Sequence, residues 1–88
     1  GDRFALVAGS TNIGRHPQSD IPLDDITVSR RHAQVIFHEG LYKVRDVGSL
    51  NGTYVNQQRV DEVVLSHGDE LQIGKFRLVF FDRTVDNA

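Results

Sequence analysis

Ala33-Gln34-Val35-Ile36-Phe37-His38-Glu39-Gly40-Leu41-Tyr42-Lys43-Val44-Arg45-Asp46-Val47 reads as a β-hairpin. Ala33, Val35 and Phe37 alternate with Gln34 and His38, the period of a strand with one face in a core, and Ile36 interrupts the alternation. Glu39-Gly40 is a tight-turn signal. Leu41 to Val47 mixes charged and apolar residues as a one-sided strand does. Outward from this hairpin the rest of the chain has the same texture. Turn chemistry recurs at Gly9-Ser10-Thr11-Asn12, Asp24-Asp25, Asn56-Gln57-Gln58-Arg59, Ser66-His67-Gly68-Asp69 and Gly74-Lys75, roughly every 8–12 residues, which is the pattern of a sandwich or barrel. Between the turns, Phe4–Ala8, Ile21–Leu23, Thr53–Val55, Val63–Leu65, Glu70–Ile73 and Phe76–Phe81 read as strands, with Pro22 suited to an edge. No stretch carries a sustained helical period. The intervals are too short for helical crossovers, so pairing is expected to be mostly antiparallel.

Composition sets the limits. The 88 residues make one domain, and a chain of this size buries roughly 60–65% of its unfolded surface, enough for a single modest core. The hydrophobic share of 39% and charged share of 25% are those of a globular domain. A net charge of −2 gives no basic field for nucleic acid. The absence of cysteine removes disulfides, thiolate metal sites and cysteine nucleophiles, and agrees with a cytoplasmic location. No apolar run is long enough for membrane insertion, and no signal peptide is legible at the N-terminus. The polar stretch 84–88 is expected to be a frayed tail after a domain over 1–83.

Three segments fall where strands should end: Gly14-Arg15, Thr27-Val28-Ser29-Arg30-Arg31-His32, and Ser49-Leu50-Asn51-Gly52-Thr53. We expect these loops to meet at one edge of the sandwich and form a pocket for a phosphorylated side chain. His16, His38 and His67 have no metal-site spacing, and neither a metal nor a cofactor is expected.

Gly14-Arg15, Ser29-x-x-His32 and Asn51-Gly52, followed by Gly68-Asp69 and Ile73-Gly74, together resemble a forkhead-associated (FHA) domain across nearly the whole chain. The longer runs Gly14-Arg15-His16-Pro17, Ser29-Arg30-Arg31-His32-Ala33 and Asp46 to Asn56 are similar to a narrower group. Those are small actinobacterial FHA proteins that are substrates of Ser/Thr kinases and regulate 2-oxoglutarate and glutamate metabolism. The resemblance implies an eleven-stranded β-sandwich of two mostly antiparallel sheets that binds phosphothreonine peptides without catalysis. It also implies that the family's usual first strand is missing ahead of Phe4, which would leave the edge at Phe76–Phe81 open. The implied partners are phosphothreonine-containing proteins: Ser/Thr kinases, their substrates, or a phosphothreonine elsewhere on the same parent chain. The narrower group adds a metabolic enzyme.

The resemblance also assigns roles. Arg15, Ser29 and Arg30 contact phosphate, Asn51 holds the peptide backbone, and Thr27 influences selectivity. Gly14, His32 and Gly52 support the site, with His32 turned inward to hold the loop of Ser29. The chemistry suits the assignment. A phosphothreonine carries about −1.5 to −2 charge and three strong acceptors; Arg15 brings a bidentate fork and Ser29 a hydroxyl donor. Leu50 departs from the pattern: a hydroxyl residue is usual there, so one phosphate hydrogen bond is lost unless Ser49 or a backbone N–H replaces it. Arg31 is read as a surface charge. On turn chemistry alone Asn51-Gly52 is a hairpin signal.

Two other functions fit parts of the pattern. Ser29 and His32 suggest the nucleophile and base of a hydrolase, but the i, i+3 spacing in a loop gives them no reason to face one another. Arg15, Arg30 and Arg31 suggest a nucleic-acid or other anion-binding β domain, but no aromatic platform is interleaved with them.

Overall fold

The computed structural model describes residues 3–6 and 8–82. Nine strands run in order: β1 (Gly9–Gly14), β2 (Ile21–Pro22), β3 (Ala33–His38), β4 (Leu41–Asp46), β5 (Thr53–Val55), β6 (Gln58–Val60), β7 (Glu62–Val64), β8 (Glu70–Ile73) and β9 (Phe76–Val79). They form a five-stranded sheet in the order β2-β1-β3-β4-β7 and a four-stranded sheet in the order β6-β5-β8-β9. All pairs are antiparallel except β1 with β2. This is the expected all-β sandwich, with nine strands among the described residues where the resemblance implied eleven. No helix among the described residues is long and apolar enough to cross a membrane.

The core lies between the sheets. Ile13, Val35 and Val44 face it from one side, and Val55, Leu71 and Ile73 from the other. In β3 the inward set is Ala33, Val35 and Phe37, and Ile36 is half-buried on the outer face. The β3–β4 turn is Glu39-Gly40, with φ of 52° and 79°, the left-handed pair that matches the twist of a two-residue hairpin.

Three local expectations were wrong. Phe4–Ala8 was expected as a strand, yet residues 4–6 are irregular, and Val7 lies outside the described residues. The strand is instead Gly9–Gly14, including the stretch that reads as a turn. Thr11 and Ile13 alternate inward there and the backbone pairs with β3, so tertiary pairing overrides local turn preference. Asn51-Gly52 is not a hairpin turn but part of the connection from one sheet to the other. The hairpin of this region turns at Asn56-Gln57, both at positive φ. Gln58 and Arg59, read as turn residues, belong to β6. The tail 84–88 lies outside the described residues.

Alongside β9 the sandwich is open. β9 ends its sheet with no further strand beside it among the described residues, and a cleft of about 1160 Å³ runs between Phe4, Tyr42, Leu71, Phe76 and Phe81. Phe81 is 69% exposed there.

Candidate functional site

The Thr27–His32 stretch is pinned at two points. Val28 is 1% exposed and His32 is 0% exposed, so both side chains enter the core and the segment between them bows outward. Val28 carries no polar atom on its side chain and gave no functional signal in the sequence. Its anchoring is nevertheless what presents Ser29 and Arg30.

His32 braces the loop with both ring nitrogens. The Ser29 backbone N–H donates to Nδ1 at 3.1 Å. A backbone N–H can only donate, so Nδ1 is the unprotonated nitrogen, and Nε2 donates to the Gly52 carbonyl at 2.8 Å. One imidazole thereby ties the Ser29 loop to the Asn51-Gly52 loop. Since both nitrogens face backbone groups, His32 has none left to take a proton from the Ser29 hydroxyl, and the hydrolase arrangement is absent.

Gly14 and Arg15 are laced to the same stretch. The Arg15 N–H donates to the Ser29 carbonyl at 3.0 Å, and the His16 N–H to the Arg30 carbonyl at 3.3 Å. A Cβ on Gly14 would overlap the Arg30 carbonyl oxygen, so only glycine allows this approach. The Arg15 side chain is aimed by Nε, which donates to the Val28 carbonyl at 3.0 Å and leaves the terminal nitrogens free. Arg15, Arg30 and Arg31 have no carboxylate partner among the described residues.

The third loop completes the set. The Leu50 N–H donates to Ser29 Oγ at 3.0 Å. That occupies an acceptor position on the hydroxyl and leaves its own proton available for another acceptor. Two donors beside the missing hydroxyl at position 50 are already used: the Leu50 N–H on Ser29, and Ser49 Oγ, which donates to Asp46 and accepts from the Gly52 N–H. The Leu50 side chain is 84% exposed. Asn51 Nδ2 donates to the Thr27 carbonyl at 3.0 Å, which leaves its Oδ1 and second N–H for another chain.

Two carboxylates, both missed in the sequence, hold the loops in shape. Asp46 accepts from the Ser49 and Thr53 hydroxyls and from the Gly48 and Ser49 N–H groups. Burial alone would raise its pKa; these donors together outweigh burial and hold it below the ordinary carboxylate range. Asp25 is lowered to about 2, first by the Thr27 hydroxyl, then by the Thr27 N–H and by Lys75. The Thr27 hydroxyl donates to Asp25 at 2.6 Å and accepts from the Lys75 N–H at 2.9 Å, so it has no proton left for a ligand. Thr27 nonetheless lines a shallow pocket of about 260 Å³ with Asn51, Gly52, Tyr54, Gln72, Gly74 and Lys75. The only sequence signal for either carboxylate was turn propensity of the kind Asp shows when it hydrogen-bonds the backbone two residues on.

The arrangement can hold a tetrahedral anion. It offers guanidinium groups with no carboxylate partner among the described residues and a hydroxyl whose own proton is available for another acceptor.

Comparison with known proteins agrees with this geometry. A family model described as FHA domain matches residues 11–74. The glycogen accumulation regulator GarA of Mycolicibacterium smegmatis is 64% identical over 80 residues, 91% of this chain and 51% of that protein. The oxoglutarate dehydrogenase inhibitor of Corynebacterium efficiens is 62% identical over 80 residues, 91% of this chain and 56% of that protein. The chain thus spans about half the length of the curated relatives it matches. Among solved structures, one from a study of phosphothreonine-dependent FHA domain interactions superposes with a TM-score of 0.81 at 35% identity, covering 84% of this chain and 77% of that one.

Proposed function

The chain belongs to the forkhead-associated family, and on that basis we propose that it is a phosphothreonine-dependent protein-binding module of Ser/Thr kinase signalling. In this reading Arg15, Ser29 and Arg30 hold the phosphate, Asn51 grips the peptide backbone, and Gly14, His32 and Gly52 keep the loops in place. Thr27 and Leu50 influence selectivity, Thr27 through its place on the pocket lip and Leu50 through an exposed apolar side chain. The observation that carries the reading is the Ser29 hydroxyl. It accepts from the Leu50 N–H at 3.0 Å, and its loop is laced to Arg15 and continues into Arg30, neither of which has a carboxylate partner among the described residues.

The partner follows from the relatives. A chain similar to an oxoglutarate dehydrogenase inhibitor and to a glycogen accumulation regulator is suited to a metabolic enzyme as partner. Phosphorylated kinases, their substrates, or a phosphothreonine on the same parent chain supply the phosphate. The work is binding in the cytoplasm, not catalysis. Residues 1–83 are taken as the FHA domain, with the β9 edge open among the described residues.

The test is a calorimetric titration with a phosphothreonine peptide and its unphosphorylated twin. Hydrogen bonds to a charged group contribute about 1.5–3 kcal/mol each, so Arg15→Ala and Ser29→Ala should each weaken the phosphopeptide about tenfold or more. Their melting curves should show a folded domain. Equal affinity for the two peptides would sink the reading.

A further inference from the structure

One cation at the margin of the site takes no part in the contacts described so far. Arg59 in β6 stands directly across from Tyr54 in β5, and Tyr54 stands across from Gln72 in β8. Directly paired residues project from the same face of a sheet about 5 Å apart. Arg59, Tyr54 and Gln72 therefore form a row leading into the pocket that Tyr54 and Gln72 line with Asn51 and Gly52.

The Arg59 side chain lies over the Gly52 backbone. A Cβ placed on Gly52 would stand 2.8 Å from Nε, 3.0 Å from Cζ and 3.3 Å from Cδ of Arg59. Gly52 also sits at a φ of +91°, which is what makes it glycine, and the open space above its Cα is where this guanidinium lies. That seat is fixed, because the Gly52 carbonyl accepts from His32 and its N–H donates to Ser49. It adjoins Asn51. The pocket's other cation, Lys75, is already neutralised by Asp25 at 3.1 Å. Arg59 is exposed and meets no carboxylate among the described residues. A guanidinium beside Asn51 with no carboxylate partner among the described residues is suited to a carboxylate from another chain.

We propose that Arg59 is a specificity-determining residue that binds an acidic side chain flanking the phosphothreonine of the partner. The inference rests on the phosphothreonine reading above. Arg15 and Arg30 read the phosphate; Arg59, lying over Gly52 next to Asn51, reads the neighbouring sequence.

The experiment uses residues 1–88 and a phosphothreonine peptide with neutral flanks, together with a series in which a single Glu is moved through the flanking positions. At one position Glu should tighten binding about fivefold, the upper range for an exposed ion pair, and Arg59→Gln should erase that gain while leaving the neutral peptide within about twofold. Arg59→Lys should restore part of it. No Glu preference, with phosphate dependence intact, would overturn the role of Arg59 alone. An equal loss for neutral and acidic peptides in Arg59→Gln would show a structural role and overturn it as well. Binding that ignores the phosphate would overturn the phosphothreonine reading and this inference with it.

Discussion

Ser29 and His32 show how two residues that look like a catalytic pair divide the work of binding. The serine hydroxyl is poised by a loop N–H, and the histidine is enclosed behind it, joining two loops through one ring. Replacing His32 with Ala leaves the Ser29 N–H and the Gly52 carbonyl unpaired and opens a cavity in the core. The expected cost is about 2–4 kcal/mol, read from the urea midpoint. An unchanged midpoint would show that the loops do not depend on this bridge. That His32 is structural was legible from the sequence by resemblance. Its partners were not, because they are backbone groups at positions 29 and 52, which no side-chain pattern encodes. Val28, Asp46 and Asp25 were missed for a related reason: a buried valine in a loop and a carboxylate serving local N–H groups look like any core or turn residue.

The loops keep their shape through short local networks, and the Asp25 turn is the one most open to titration. Thr27, through hydroxyl and N–H, and then Lys75 hold the Asp25 carboxyl at about 2 against an ordinary 3.8. A carboxylate with a lowered folded pKa adds stability that is fully present above its unfolded pKa and lost as pH falls through the folded value. Melting temperature should therefore drop between about pH 4 and pH 2. Asp25→Asn should drop less steeply across that window, with Asp46 accounting for part of the remaining slope. Parallel acid profiles for the two proteins would show that the Asp25 turn does not contribute. The strands themselves were unevenly legible. β8 alternates cleanly, and β3 and β4 form the hairpin expected around Glu39-Gly40 despite the interruption at Ile36. β1 is rich in turn formers and is made a strand by pairing with β3. β6 and β7 are three residues each, too short for any period to show.

The molecule has two unlike surfaces. One is formed by the three loops, whose arginines have no carboxylate partner among the described residues; the other is the largely apolar cleft beside β9, bordered by Phe4, Val79 and Phe81. The sandwich class was legible because turn signals recur along the whole chain. The convergence of positions 15, 29, 30 and 51 was legible only through the family's motif spacing, since crossings from one sheet to the other bring them together. The most direct test follows backbone amide shifts of the 15N-labelled domain as a phosphothreonine peptide, and separately its unphosphorylated twin, is added. The predicted result is a saturating shift of the Ser29, Arg30, Leu50 and Asn51 amides with the phosphorylated peptide alone. Equal shifts with both peptides, or shifts confined to β9 and the cleft beside it, would contradict a phosphate site built from these three loops.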